Sequence, residues 1–245
     1  MIKEKWGIDA FWLRILACIA MLCDHVWAMM ISGNFWMTCF GRIAMPIFAF
    51  QLVEGFFHTH NLKKYILRMF LFAILTEIPF NLMMGSSIIY PFHQNILFTF
   101  LIALLAMAAM QKVREKARWW IAVPACMGIT LLASAIATVF MTDYFGFGVL
   151  TVLIFYFLRN FRFAWAAQLA AMFVIHWSMM GGRVIPVAVG SFSFEIPEQA
   201  FALLALIPIW LYNGKKGFAT KWSQLAFYSF YPVHMLVLWL ILNLK

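Results

Sequence analysis

Apolar runs long enough to cross a bilayer recur along almost the whole chain, broken only by short polar segments, and they leave no stretch from which a soluble domain could be built. Of the 245 residues, 65% are hydrophobic and 11% are charged, far from the composition of a water-soluble domain. The expectation is an all-α, polytopic integral membrane protein, one transmembrane domain over residues 1–245. The runs and breaks predict about nine spanning helices, at 10–31, 37–57, 65–84, 95–111, 119–140, 146–158, 163–178, 199–213 and 223–243. The sixth and seventh are short, and either tilt little or are partly buried segments that do not span by themselves.

A net charge of +9 raises a nucleic-acid reading, but the basic residues are scattered between apolar runs and form no stripe, so no nucleic-acid partner is expected. Topology accounts for them better. With the N-terminus in the cytoplasm, the inner segments hold Lys3, Lys5, Lys63, Lys64, Lys112, Arg114, Lys116, Arg118, Arg159, Arg162, Lys215, Lys216 and Lys221. Arg183 and Lys245 fall outside, and Arg14, Arg42 and Arg68 lie within helices, which accounts for all 18 Lys and Arg. The N-terminus resembles a signal peptide, but Asp24 and His25 interrupt its apolar core and no small-residue cleavage site follows, so it reads as a retained helix. The bilayer expected is a bacterial plasma membrane. Cys18, Cys23, Cys39 and Cys126 sit in apolar segments without metal-site spacing and read as packing residues.

Ionisable groups within the bilayer are costly and mark function. Arg14 and His25 are eleven residues apart on the first helix, which returns them to within about 20° of one face and separates them by roughly 16 Å along the axis. A short turn at Ser32-Gly33-Asn34 makes the first two helices antiparallel, so His25 shares the outer third with Arg42, and Arg14 shares the inner third with Glu54. The third helix brings Arg68 near its inner end and Glu77 and Asn81, four apart on one face, near its outer end, with Pro79 between them as a source of a kink. His93, Gln94 and Asn95 follow at the mouth of the fourth helix, and Tyr231, Pro232 and His234 lie on the last. Convergence on His25 is expected. Arg42 and Glu77 have a structural alternative, a buried ion pair that locks helices together.

His58 and His60, beside Lys63 and Lys64, read as interfacial polar residues because no further cluster completes a metal site, and no metal is expected. His176 beside Trp177 reads as an interfacial anchor. The segment 179–198, with Gly181, Gly182, Pro186, Gly190, Pro197, Glu195 and Glu198, is either a lid over an acceptor site or a connector. No Gly-x-x-x-Gly pair argues for a helix dimer.

A long anionic donor such as acyl-coenzyme A, with phosphates at one end and a thioester at the other, matches a cation and an imidazole set apart along one face. Arg14, helped by Arg68, would hold phosphate. His25 would act as general base on an acceptor hydroxyl or amine, with Glu77 or His234 fixing its tautomer. Arg42, or the amides of Gln94 and Asn95, would stabilise the oxyanion. The acyl-coenzyme A is a substrate, and no permanently bound cofactor is expected.

The segments Met21-Leu22-Cys23-Asp24-His25, Gly41-Arg42-Ile43-Ala44-Met45-Pro46-Ile47-Phe48-Ala49-Phe50, Val53-Glu54-Gly55-Phe56, Thr76-Glu77-Ile78-Pro79-Phe80-Asn81, His93-Gln94-Asn95 and Tyr231-Pro232-Val233-His234 resemble the TraX family of membrane proteins, named after a conjugative-plasmid protein that acetylates the N-terminus of pilin. The arginine, ten residues, histidine spacing is similar to that of the broader transmembrane acyltransferase group (acyltransferase-3-like). The resemblance implies a catalytic role for His25 and donor binding for Arg14. For Arg42, Glu54, Glu77, His93, Asn95, Tyr231 and His234 it implies site membership. The function expected is an acyltransferase, chiefly an acetyltransferase, moving the group from cytoplasmic acyl-coenzyme A to an acceptor at the outer face, a peptide amine or a glycan hydroxyl. The rivals are a proton-coupled carrier, for which Pro46, Pro79 and Pro232 and the intramembrane His and Glu would serve, and a noncatalytic scaffold subunit.

Overall fold

The structure, a computed structural model, describes residues 7–190 and 192–244. Lys3, Lys5 and Lys245 lie outside them. The chain is 73% helical. The helices are α1 (Ala10–Met29), α2 (Trp36–Gly41), α3 (Ala44–His58), α4 (Leu62–Gly85), α5 (Ile96–Lys116), α6 (Trp119–Val139), α7 (Phe145–Leu158), α8 (Ala164–Phe173), α9 (Leu206–Trp210) and α10 (Lys221–Asn243). A π-helical turn, Val174–Met179, prolongs α8, and a 3₁₀ segment, Glu198–Ala205, leads into α9.

Six segments among the described residues are long and apolar enough to cross a membrane: Ala10–Met29, Trp36–His58, Leu62–Gly85, Ile96–Lys116, Trp119–Val139 and Trp222–Asn243. These correspond to six of the nine expected spans. The other three, at 146–158, 163–178 and 199–213, do form helix, but shorter pieces of it. At 14 residues α7 extends only about 21 Å, short of a hydrocarbon core of about 30 Å. Its Gly146, Gly148, Val149, Thr151, Val152, Leu153, Phe155 and Tyr156 are all buried, so most of this helix is core.

The segment expected as a lid or connector holds the departure from an all-helical chain. Val184–Val189 (β1) pairs antiparallel with Phe192–Pro197 (β2), in a register from Val184 opposite Pro197 to Val189 opposite Phe192. Gly190, at φ +62°, supplies the left-handed residue of the turn. The signal was present in Val-Ile-Pro-Val-Ala-Val and in the alternation of Phe192, Phe194 and Ile196 with Ser193 and Glu195.

Two compact units divide the chain, Met1–Gln51 with Asn160–Phe230, and Leu52–Arg159 with Tyr231–Lys245. Capping is local and legible: Asp9 accepts from the Trp12 amide, Asn61 from Lys64 and Asn95 from Leu97, starting α1, α4 and α5. Pro46 falls in the first turn of α3, where its missing N–H costs nothing. Pro79 and Pro232 lie within α4 and α10, which continue past them.

Candidate functional site

In the first unit, α1 is one uninterrupted helix from Ala10 to Met29, so the face shared by Arg14 and His25 is real. Both residues are half-buried. Arg14 donates from Nε to Gln51 Oε1 at 3.3 Å, and its guanidinium lies 5.0 Å from the centre of the Phe227 ring. Gln51 in turn donates to the Ala10 carbonyl at 2.9 Å, which fixes the amide that meets Arg14. Among the described residues Arg14 has no carboxylate partner.

Arg42 differs. Its Nη2 donates to Asp24 Oδ1 at 2.7 Å and to Thr38 Oγ1 at 2.8 Å, and its Nε lies 3.0 Å from Glu198 Oε1. Thr38 Oγ1 is also 2.7 Å from Asp24 Oδ1 and 3.0 Å from Glu198 Oε1. Thr38 and Arg42 are four residues apart on one helical face, which brings hydroxyl and guanidinium together. Gly41 makes the approach possible, since a Cβ there would overlap the Asp24 side chain. Glu198 arrives from the far side of the β-hairpin, whose ends are tied by the Glu198 amide donating to the Arg183 carbonyl at 2.9 Å. Arg183 rests 4.9 Å from the centre of the Trp27 ring near the end of α1. The segment 179–198 thus delivers a buried carboxylate to Arg42.

This arrangement departs from the expected pairing of Arg42 with Glu77. The carboxylates on Arg42 are Asp24 and Glu198, while Glu77 takes its hydrogen bonds from Asn95. A guanidinium held by two acids and a hydroxyl ties α1, α2 and the 3₁₀ segment together.

The second unit carries its own polar cluster. Asn95 Nδ2 donates to Glu77 Oε2 at 2.5 Å and to the Ala73 carbonyl at 2.9 Å, and the Asn95 amide meets the same carboxylate oxygen at 3.3 Å. With Oδ1 capping α5, the Asn95 side chain is fully used as a bracket between α4 and α5, and has no donor left for an oxyanion. Gln94 Nε2 donates to the Pro91 carbonyl at 2.8 Å. Asn81, buried, donates to the Ile88 carbonyl at 3.1 Å.

His93 Nε2 lies 3.3 Å from Asp143 Oδ1, and its ring meets Phe80 edge-on at 5.2 Å. The hydrogen bond to Asp143 is the main reason that His93 titrates above its ordinary value. Asp143 was missed by sequence reasoning. It sits in a turn where Met141, Tyr144 and Phe145 take positive φ values of 51°, 62° and 48°. Neighbouring backbone holds that turn: Gln94 N donates to Met141 O at 3.0 Å, Asp143 N to Gln94 O at 2.8 Å, and Thr99 Oγ1 to Asp143 O at 2.6 Å. On α10, Tyr231 and His234 are buried with ring centres 5.9 Å apart.

Also in this unit, Glu54 Oε1 accepts from Arg159 Nε at 2.7 Å, with the Arg159 guanidinium 4.6 Å from the Phe57 ring centre. Glu54 is therefore the carboxylate partner of Arg159. His58 Nδ1 is 2.8 Å from the Glu54 carbonyl oxygen, and both His58 and His60, at the end of α3, are exposed. Arg68 is exposed on α4, 6.0 Å from the Tyr65 ring centre. His176, expected at an interface, is fully buried.

The sequence matches the TraX protein family over residues 11–242. It is similar to the probable fimbrial assembly protein FimC, serogroup H1, of Dichelobacter nodosus, with 32% identity over 247 residues and 94% of each chain covered. No solved structure matches. A helical chain with six segments able to cross a bilayer, polar clusters fixed among them and a family match across nearly its whole length is a membrane protein of the TraX family.

Proposed function

We propose that the protein is a membrane-embedded acyltransferase, chiefly an acetyltransferase, that takes its group from acyl-coenzyme A. The observation that carries this reading is the contrast among the arginines. Arg42 and Arg159 are neutralised by carboxylates, whereas Arg14, eleven residues from His25 on one continuous helix, is held by a neutral amide and a ring. A half-buried cation that is positioned but not neutralised is suited to a phosphate. His25 is the base that takes the acceptor's proton as its oxygen or nitrogen attacks the thioester carbonyl, and coenzyme A leaves as the thiol.

In this reading the protein lies in a bacterial plasma membrane with its N-terminus cytoplasmic, as the basic residues favour, and it shares the mechanism of the broader transmembrane acyltransferase group. The acceptor is a peptide amine or a glycan hydroxyl at the outer face. The relative's printed role in fimbrial assembly supports the peptide.

Binding of acetyl-coenzyme A to the purified protein tests the donor half. Arg14→Gln should weaken it by about 10-fold or more, the loss of one charge-assisted phosphate contact of roughly 1.5–3 kcal/mol, while His25→Ala should bind as the wild type does. Equal binding by Arg14→Gln and wild type removes Arg14 from the donor site. A proton-coupled carrier remains the rival, and it would show neither binding nor transfer.

A further inference from the structure

A cavity of about 580 Å³ opens in the second unit where the end of α5, the first half of α6 and the end of α7 meet. Its floor is one stripe of α6: Trp119, Ala122, Val123, Cys126, Met127 and Thr130, spaced as successive turns of a single helical face. Phe157 closes one wall, and Arg114 lines the end near Trp119. Nothing in the proposed acyl transfer uses any of them.

Three features of this groove agree on one occupant. The stripe runs from Trp119 to Thr130, eleven residues further on, or roughly 16 Å of helix. That is the depth of one leaflet, half of a hydrocarbon core of about 30 Å. The walls are apolar throughout that depth, since the Thr130 hydroxyl is turned onto the Cys126 carbonyl at 2.9 Å. Only the end at Trp119 is charged, where Lys112, Arg114, Lys116 and Arg118 outnumber Glu115 within seven residues. Arg118 packs 5.0 Å from the Trp120 ring centre, and Trp119 is 74% exposed, the placing of an aromatic belt at the level of head groups.

We propose that this groove is a binding site for an anionic phospholipid, one acyl chain lying along the α6 stripe and the phosphate meeting Arg114. A groove of this depth with a cationic mouth does not suit small polar metabolites, which would leave the apolar stripe uncovered. It also disfavours a zwitterionic lipid, whose choline would meet the same cluster of cations. The site is independent of acyl transfer, so it stands or falls without it.

Native mass spectrometry of the full-length protein in detergent, with phosphatidylglycerol or phosphatidylcholine added at equal concentration, reads the site directly. The wild type should retain one phosphatidylglycerol in preference to phosphatidylcholine. Arg114→Gln should reduce that preference about fivefold, the ~1 kcal/mol of one basic residue beside an anionic head group. Ala122→Phe, which fills the stripe, should lose the bound lipid of either kind. Thermal melting of each variant without added lipid confirms that it is folded. Equal retention of the two lipids by the wild type, or an unchanged preference in both variants, overturns the proposal, as does displacement of the lipid by long-chain acyl-coenzyme A with higher affinity.

Discussion

Arg42 concentrates the energetics of the first unit in a single side chain. Two carboxylates and a hydroxyl converge on it, and Thr38 has one proton to share between Asp24 and Glu198. Removing the cation leaves both acids facing each other with little water. Arg42→Ala should therefore cost about 3–5 kcal/mol, and thermal unfolding in detergent should show a larger loss than either Asp24→Asn or Glu198→Gln. His93 gives a second test at this scale. Its folded-state pKa is raised by Asp143, so its contribution to stability is complete below the unfolded value near 6.5 and is lost as pH rises through the raised folded value. Melting curves from about pH 5.5 to about pH 8.5 should decline for the wild type relative to Asp143→Asn, in which that slope is reduced. Parallel slopes would detach His93 from Asp143. The two acids illustrate what a linear chain hides. Asp24 and His25 stand out because they interrupt an apolar run, whereas Glu198 and Asp143 occupy polar breaks, where an acid carries no sign of its partner. Their partners, Arg42 and His93, are 156 and 50 residues away, and only the fold brings them together.

Among the elements, the contact between α6 and α7 depends on a glycine. A Cβ on Gly146 would lie 2.7 Å from the Ser134 carbonyl and 3.0 Å from Thr138 Oγ1, whereas one on Gly128, on the same α6, would meet nothing within 4 Å. Gly146→Ala should destabilise by about 1–3 kcal/mol through overpacking. Gly128→Ala should be neutral or stabilising by up to ~1 kcal/mol through helix propensity. Thermal melting of the pair separates packing from propensity, and equal effects would contradict this placing of the helices. Helix positions were legible to within a few residues because lipid and core both demand apolar runs. That same degeneracy hid which runs span: α7 is as apolar as its neighbours, but most of its residues are buried against protein. The hairpin was hidden for another reason. Its Gly and Pro residues are turn signals, and they outweighed the alternation from Phe192 to Ile196.

For the whole molecule, the family match, the six segments among the described residues that are long and apolar enough to cross a membrane, and the fixed polar clusters define a TraX-family membrane protein, and the proposed chemistry rests on α1. The polar residues expected to act as one group divide into roles. Arg42, Glu54 and Asn95 join helices, and Arg14, on the proposed reading, is the cation that meets the donor. Transfer of labelled acetyl from acetyl-coenzyme A by the purified protein, with membrane extract as the acceptor source, tests the central claim most directly. Wild type should place label on an acceptor, and His25→Ala, folded and still binding donor, should lower transfer by roughly 10²-fold or more, the scale of a general base. Equal transfer by His25→Ala, or no transfer by wild-type protein that is folded and supplied with acceptor, would contradict the account.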